Sequence, residues 1–193
     1  MIAGTNGAHP NDPDRMRWLW LGGSIVSDRD NPLVPTHRAV IRALQQLGQD
    51  VEYLEPADHA AFRDRLVDEG SGFHRAFLAE FPDIRYRRYD MPRSFERDVW
   101  LSREAALVDV LVVESGAPEA VFSWLERVDE ASLVRLLVAD SMHIDGSLFD
   151  LILAPDSDDL RYASVDSPES ASSLARSLIQ AVERQRSRSA AQD

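Results

Sequence analysis

The chain has no cysteine in its 193 residues. That excludes disulfides, a thiol nucleophile and every thiolate metal site. Lysine is missing too, because all 21 basic residues are arginine. Schiff-base chemistry, a P-loop phosphate lysine and a receiver-domain lysine are therefore excluded. Positive charge is scarce: 33 acids against 21 arginines leave a net charge of -12. Such a balance is a poor footprint for nucleic acid or an anionic membrane, and neither is expected as a partner. No run of about 18 apolar residues occurs, so no segment is expected to span a bilayer. No serine stands in a G-x-S-x-G context, which removes the hydrolase elbow.

Apolar residues make up 44% and charged residues 28%, an ordinary globular composition. The length suits one domain, which can bury its core without staples. Met1 to Asp14 (MIAGTNGAHPNDPD) lacks the basic and apolar regions of a signal peptide. It reads as a disordered tail over 1–15, before a folded domain over 16–184. A disordered tail, polar and frayed, is expected over 185–193, from Gln185. The expected location is cytoplasmic.

Strands and helices alternate. Arg17 to Val26 (RWLWLGGSIV) reads as a buried first strand ending in a Gly-Gly-Ser turn. Pro35-Thr36 opens a helix with Thr36 as its cap, and Gly48 stops it. Val51 to Leu54 is a short strand, and Asp58 caps a second helix to about Val67. A short helix over Phe73 to Phe81 follows, and Ile84 to Tyr89 (IRYRRY) reads as an edge strand. Ser94 caps a helix from about Phe95 to Ala106. Val108 to Val113 is the strongest strand signal. Pro118 opens a helix to about Val128. Strands follow at Val134 to Val138, Phe149 to Leu153 and Leu160 to Val165. Ser167-Pro168-Glu169 starts the last helix. The strands are continuous apolar runs, as expected when helices cover both faces. The fold class is α/β: a Rossmann-like, doubly wound, mostly parallel sheet of six to seven strands in a single domain.

Ligands of such sheets bind outside the carboxyl ends of the strands. There the sequence puts Gly22, Gly23 and Ser24, then Glu55, Asp90, Glu114 with Ser115, Asp140, Asp156 and Asp166. A rim of acids suits hydroxyls or amines better than phosphate. Gly22, Gly23, Ser24, Glu55, Glu114, Ser115, Asp140 and Asp156 are the expected ligand-binding residues. For any one acid the competing reading is a helix cap or a solvated side chain. No metal is expected, since no acids and histidines share a ligand spacing; Asp156, Asp158 and Asp159 form the nearest cluster. No cofactor is implied, because the G-x-G-x-x-G that runs straight into a helix is lacking. His37, in the first helical turn, reads either as an exposed histidine or as an acid/base group. His37, Glu114 and Asp140 are the catalytic candidates. His59 and Arg63, four apart, read as a surface pair. His74 and His143 have no named partners. Trp18, Trp20, Trp100 and Trp124 read as packing residues.

Five stretches resemble the CgeB-like (spore-maturation) glycosyltransferases of two-lobed GT-B architecture. Trp18 to Ile25 (WLWLGGSI) is similar to the family's opening strand. Thr36 to Leu54 is similar to its first helix and a G-H-x-V-x-F-L second strand. Glu55 to Leu66 resembles an acidic segment running into an aromatic and R-D-L. Val138 to Leu153 resembles an Asp-containing strand end followed by an aromatic-Asp-Leu strand. Arg161 to Asp166 (RYASVD) resembles a Y-x-S-V-D segment. Two departures stand out: Asp140-Ser141-Met142 replaces an aspartate-threonine-proline pattern, and Ala154-Pro155-Asp156-Ser157 replaces a Gly-rich segment.

The resemblance covers about Met16 to Asp166 and implies an acceptor-side, N-terminal lobe. The donor-binding lobe would need on the order of another 150 residues. The expectation is therefore a stand-alone lobe that works with a separate donor-lobe protein or as a homo-oligomer, or that serves as a binding module. The ligand would be a sugar or another hydroxylated small molecule, with His37 or one carboxylate removing a proton. The alternative is a small independent transferase or hydrolase using the acids at the strand ends.

Overall fold

The computed structural model describes residues 15–23, 25–26, 31, 33–90, 95–127, 133–139, 146–154, 160–161, 165 and 167–191. Among the described residues seven strands form one sheet in the order β3-β2-β1-β4-β5-β6-β7. They are β1 (Arg17–Leu21), β2 (Asp50–Pro56), β3 (Arg85–Tyr89), β4 (Val110–Glu114), β5 (Val134–Val138), β6 (Leu151–Ala154) and β7 (Leu160–Arg161). Every neighbouring pair is parallel. The order runs outward from β1 to β3 on one side and from β4 to β7 on the other. The direction of winding therefore reverses between β1 and β4, the Rossmann-like doubly wound arrangement.

Among the described residues five α-helices lie between strands and a sixth follows the last strand: α1 (Val34–Gln46), α2 (Ala60–Glu69), α3 (Gly72–Glu80), α4 (Phe95–Ala105), α5 (Glu119–Leu125) and α6 (Pro168–Ser189). Side chains alternate across a strand, so each strand feeds two cores. Trp18, Trp20, Val51, Tyr53, Val110, Val112, Leu136 and Val138 point to one face. There they meet Ile41 and Leu44 of α1, Phe62 of α2, Phe73 and Phe77 of α3, and Leu178 and Val182 of α6. Leu19, Leu21, Leu54, Leu111 and Val113 point to the other, against Leu101 of α4 and Trp124 and Leu125 of α5. Trp100 stacks on Tyr89 with ring centroids 5.0 Å apart.

Several local expectations shift. Helix α1 begins at Val34, with Leu33 in the cap position and no side-chain cap. Pro35 is already inside the first turn, where its fixed φ suits the helix, so Thr36 lies too late to cap. Asp58 does not cap α2 either; His59 holds that position without a side-chain bond. Gly48 does take a positive φ of 88° just past α1. Strand β2 runs on through Glu55 and Pro56, because both pair with Arg88 and Tyr89 of β3. Strand β7 is only two residues long. Helix α6 is capped by Ser167, whose hydroxyl accepts the Ser170 amide, and it continues to Ser189, into the polar stretch expected to be frayed. The expected Ser94 cap lies outside the described residues. Among the described residues no helix is long and apolar enough to cross a membrane.

Candidate functional site at the β1–β4 crossover

The reversal of winding brings the ends of β1 and β4 side by side. Leu21 pairs with Leu54 of β2 and with Val113 of β4. The next residue, Gly22, is therefore level with Glu55 on one side and Glu114 on the other. Strand parity puts both carboxylates on the inward face shared by Trp20 and Tyr53. Glu55 is 0% and Glu114 5% exposed. The expected open ring of acids is thus corrected at these two positions: they lie beneath the strand ends, under α1. Asp90 is exposed. Ser24, Asp140, Asp156 and Asp166 lie outside the described residues, as do Asp158, Asp159 and His143.

The Glu114 carboxylate accepts hydrogen bonds from four groups. Trp20 Nε1 donates at 2.7 Å, the Gly23 amide at 3.0 Å and the Tyr53 hydroxyl at 3.1 Å. His37 Nδ1 lies 2.8 Å from Oε1. His37 is 3% exposed, which overturns its reading as an exposed histidine. Its ring also packs 5.6 Å from that of Trp20, which in turn lies 6.4 Å from Tyr53. Burial pushes the Glu114 carboxyl pKa up. The charge and hydrogen bond of His37, with the Gly23 amide and the Trp20 indole, outweigh it and hold the pKa below the ordinary value. Tyr53 is driven far above the usual phenol range by burial and by the charges of Glu114 and Glu55. The carboxylate is therefore held in its ionised, accepting form.

This network explains Gly22. A Cβ there would lie 1.8 Å from the Tyr53 hydroxyl oxygen and 2.7 Å from the Glu114 carboxyl carbon. The glycine lets the backbone approach two internal side chains rather than a phosphate. The Gly23 amide, which would face a pyrophosphate in a dinucleotide-binding turn, is directed at Glu114 instead. Above this layer, a Cβ at Gly23 would start 3.4 Å from His59 Nε2 and 3.7 Å from the Gly116 carbonyl oxygen. Gly116 is exposed and has open space where a side chain would be. Ser115 is half-buried, its amide bonded to the Val138 carbonyl. The Gly22-Gly23 and Ser115-Gly116 turns thus lie side by side, with His59 against Gly23 and open space beside Gly116.

The structure brings together Gly22, Gly23, Glu55, Glu114, Ser115 and His37. Trp20, Tyr53 and His59 belong with them and were not among the expected site residues. Trp20 and Tyr53 could have been found from parity: Trp18-x-Trp20, Val51-x-Tyr53-x-Glu55 and Val110-x-Val112-x-Glu114 share one face. His59 carried no such signal, because its position depends on where α2 starts. Among the described residues no group of three or more histidines and acids is placed to hold a metal.

No protein-family model matches the chain, and no curated protein matches it. Three solved structures share part of its backbone course. MurG from Acinetobacter baumannii matches at 12% identity and a TM-score of 0.45, over 76% of this chain and 43% of its own. OtsA in its apo form matches at 13% and 0.40, over 89% of this chain and 41% of its own. A protein of unknown function from Vibrio parahaemolyticus matches at 11% and 0.42, over 77% of this chain and 98% of its own. MurG and OtsA are GT-B glycosyltransferases, and this chain spans less than half of either. At these scores the likeness carries no weight beyond the sheet order already described.

Proposed function

We propose that this chain is an acceptor-side, glycosyltransferase-like lobe that binds a sugar or another hydroxylated small molecule at the β1–β4 crossover. The observation that carries the reading is the Glu114 network. It places a fixed carboxylate, itself fully engaged, directly beneath the adjoining Gly22-Gly23 and Ser115-Gly116 turns at the strand ends. The negative charge below favours hydroxyl donors and disfavours phosphate. With its amide committed to Glu114, Gly23 leaves no cradle for a nucleotide pyrophosphate. The resemblance to CgeB-like enzymes supports the same assignment. In this reading the nucleotide-sugar donor is held by a separate donor-binding protein or by a second copy of the chain.

Glu114 is a positioning residue in this scheme. A carboxylate held ionised by four donors is a poor proton shuttle. The test is a thermal-shift titration with free sugars and nucleotide sugars. Free sugars should raise the melting temperature, and the isolated chain should show no turnover of nucleotide sugars. Gly116→Arg, which fills the open space beside the two turns, should abolish the shift without unfolding the protein. Stabilisation by free sugars that survives Gly116→Arg would overturn the reading.

A second reading, the small independent transferase or hydrolase, is favoured by the 2.8 Å His37–Glu114 pair. An oriented imidazole is the arrangement of a general base. It requires turnover by the isolated chain that His37→Gln removes while the fold persists.

A further inference from the structure

A second concave feature lies away from the crossover, between the N-terminal half of α1, the end of α2 and helix α3. It is a cleft of about 630 Å³, within the range of small-molecule sites. Its wall carries Arg38 and Arg65 together with Glu69 and Glu80, and its floor is aromatic, with Phe73, Phe77 and Phe81. The Arg38 guanidinium lies 5.2 Å from the Phe77 ring centroid and 5.0 Å from that of Phe81. Arg65 lies 4.4 Å from the Phe73 ring.

The two arginines differ in how their charge is met. Arg65 pairs with Glu69 at 3.1 Å and donates to the Val26 carbonyl at 3.0 Å. Arg38 donates to the Ile25 carbonyl at 2.9 Å and more distantly to that of Val26. Among the described residues no carboxylate comes within 4 Å of Arg38. Glu80, which lines the cleft from the solvent-exposed end of α3, is its strongest acidic influence, and Glu55 acts more weakly. Burial and the neighbouring Arg65 lower the Arg38 pKa against those acids. A partly buried guanidinium whose hydrogen bonds go only to carbonyls, with its nearest acids acting at a distance, still favours an anion.

We propose that this cleft binds a small ligand with an anionic head on an aromatic or other flat apolar body. The anion would pair with Arg38, and the body would lie on the phenylalanine floor. This assignment does not rest on the function proposed above.

The test is calorimetric titration of the full chain with phenyl phosphate, with inorganic phosphate and benzyl alcohol as partial probes. Phenyl phosphate should bind saturably, inorganic phosphate at least about tenfold more weakly and benzyl alcohol not measurably. Arg38→Lys keeps the charge but loses the fork, and should weaken phenyl phosphate about tenfold. Ala76→Trp fills the cleft from an exposed lining position, keeps Arg38, and should abolish binding. Gly116→Arg, at the β1–β4 crossover, should leave binding unchanged. No saturable binding near about 1 mM would overturn the proposal. So would binding that survives Ala76→Trp, or binding lost in Gly116→Arg.

Discussion

Removing the Glu114 side chain leaves Trp20 Nε1, the Gly23 amide, the Tyr53 hydroxyl and His37 without their shared acceptor. Glu114→Ala should therefore cost about 3–5 kcal/mol in urea unfolding, the range for breaking a buried charged network. Glu114→Gln keeps one acceptor oxygen and should cost less. The pH dependence has a definite sign. The folded Glu114 pKa is depressed below the ordinary value of 4.5. Its stabilisation is thus complete above about pH 4.5 and is lost as pH falls through the lower folded value. Acid unfolding curves of wild type and Glu114→Gln should diverge above that window and converge below it. Gly22 offers a separate check. With a Cβ only 1.8 Å from the Tyr53 oxygen, Gly22→Ala should destabilise by about 3 kcal/mol, at the upper end for overpacking. Adding Tyr53→Phe removes the closest atom and should recover part of that loss, so the double variant should be less than additive.

Helix ends and strand edges follow rules that are local in sequence, and this chain both obeys and breaks them. Ser167 caps α6 in a reciprocal arrangement with Ser170, so Ser167→Ala should lower stability by about 1 kcal/mol in denaturant unfolding. The Ser-Pro-Glu signature made that cap legible. At α1 the equivalent signal failed. Thr36 is a good capping residue by type, but the helix had already begun at Val34, and Thr36 became part of its buried face. Strand β3 was legible as an edge because its arginines mark a strand with one open side. Arg85 pairs with Asp50, and Arg87 with Glu104 at 2.8 Å. The continuation of β2 through Pro56 was not legible, since proline ends most strands and here only pairing with β3 extends it.

Across the whole molecule, α1 and α6 pack together on one face of the sheet, and α6 brings Ala171, Ala175, Leu178, Ala181 and Val182 into the core. The last helix is therefore integral to the fold. Leu178→Ala should cost about 2–5 kcal/mol and leave one cooperative transition, with far- and near-ultraviolet circular dichroism coinciding. By itself the sequence determined the alternation of strands and helices, the parallel character of the sheet and the place of its carboxyl ends. Those follow from apolar periodicity and from the glycine and proline positions, which act over a few residues. It also put Gly22, Glu55 and Glu114 at strand ends. Only the tertiary structure decided that the two acids are buried rather than open to a ligand. It decided as well that His37 closes on Glu114 and that His59 reaches the Gly23 turn. Those outcomes depend on which strands become neighbours and on the height at which α1 and α2 cross them, contacts between residues up to 94 positions apart. No local pattern encodes such a distance.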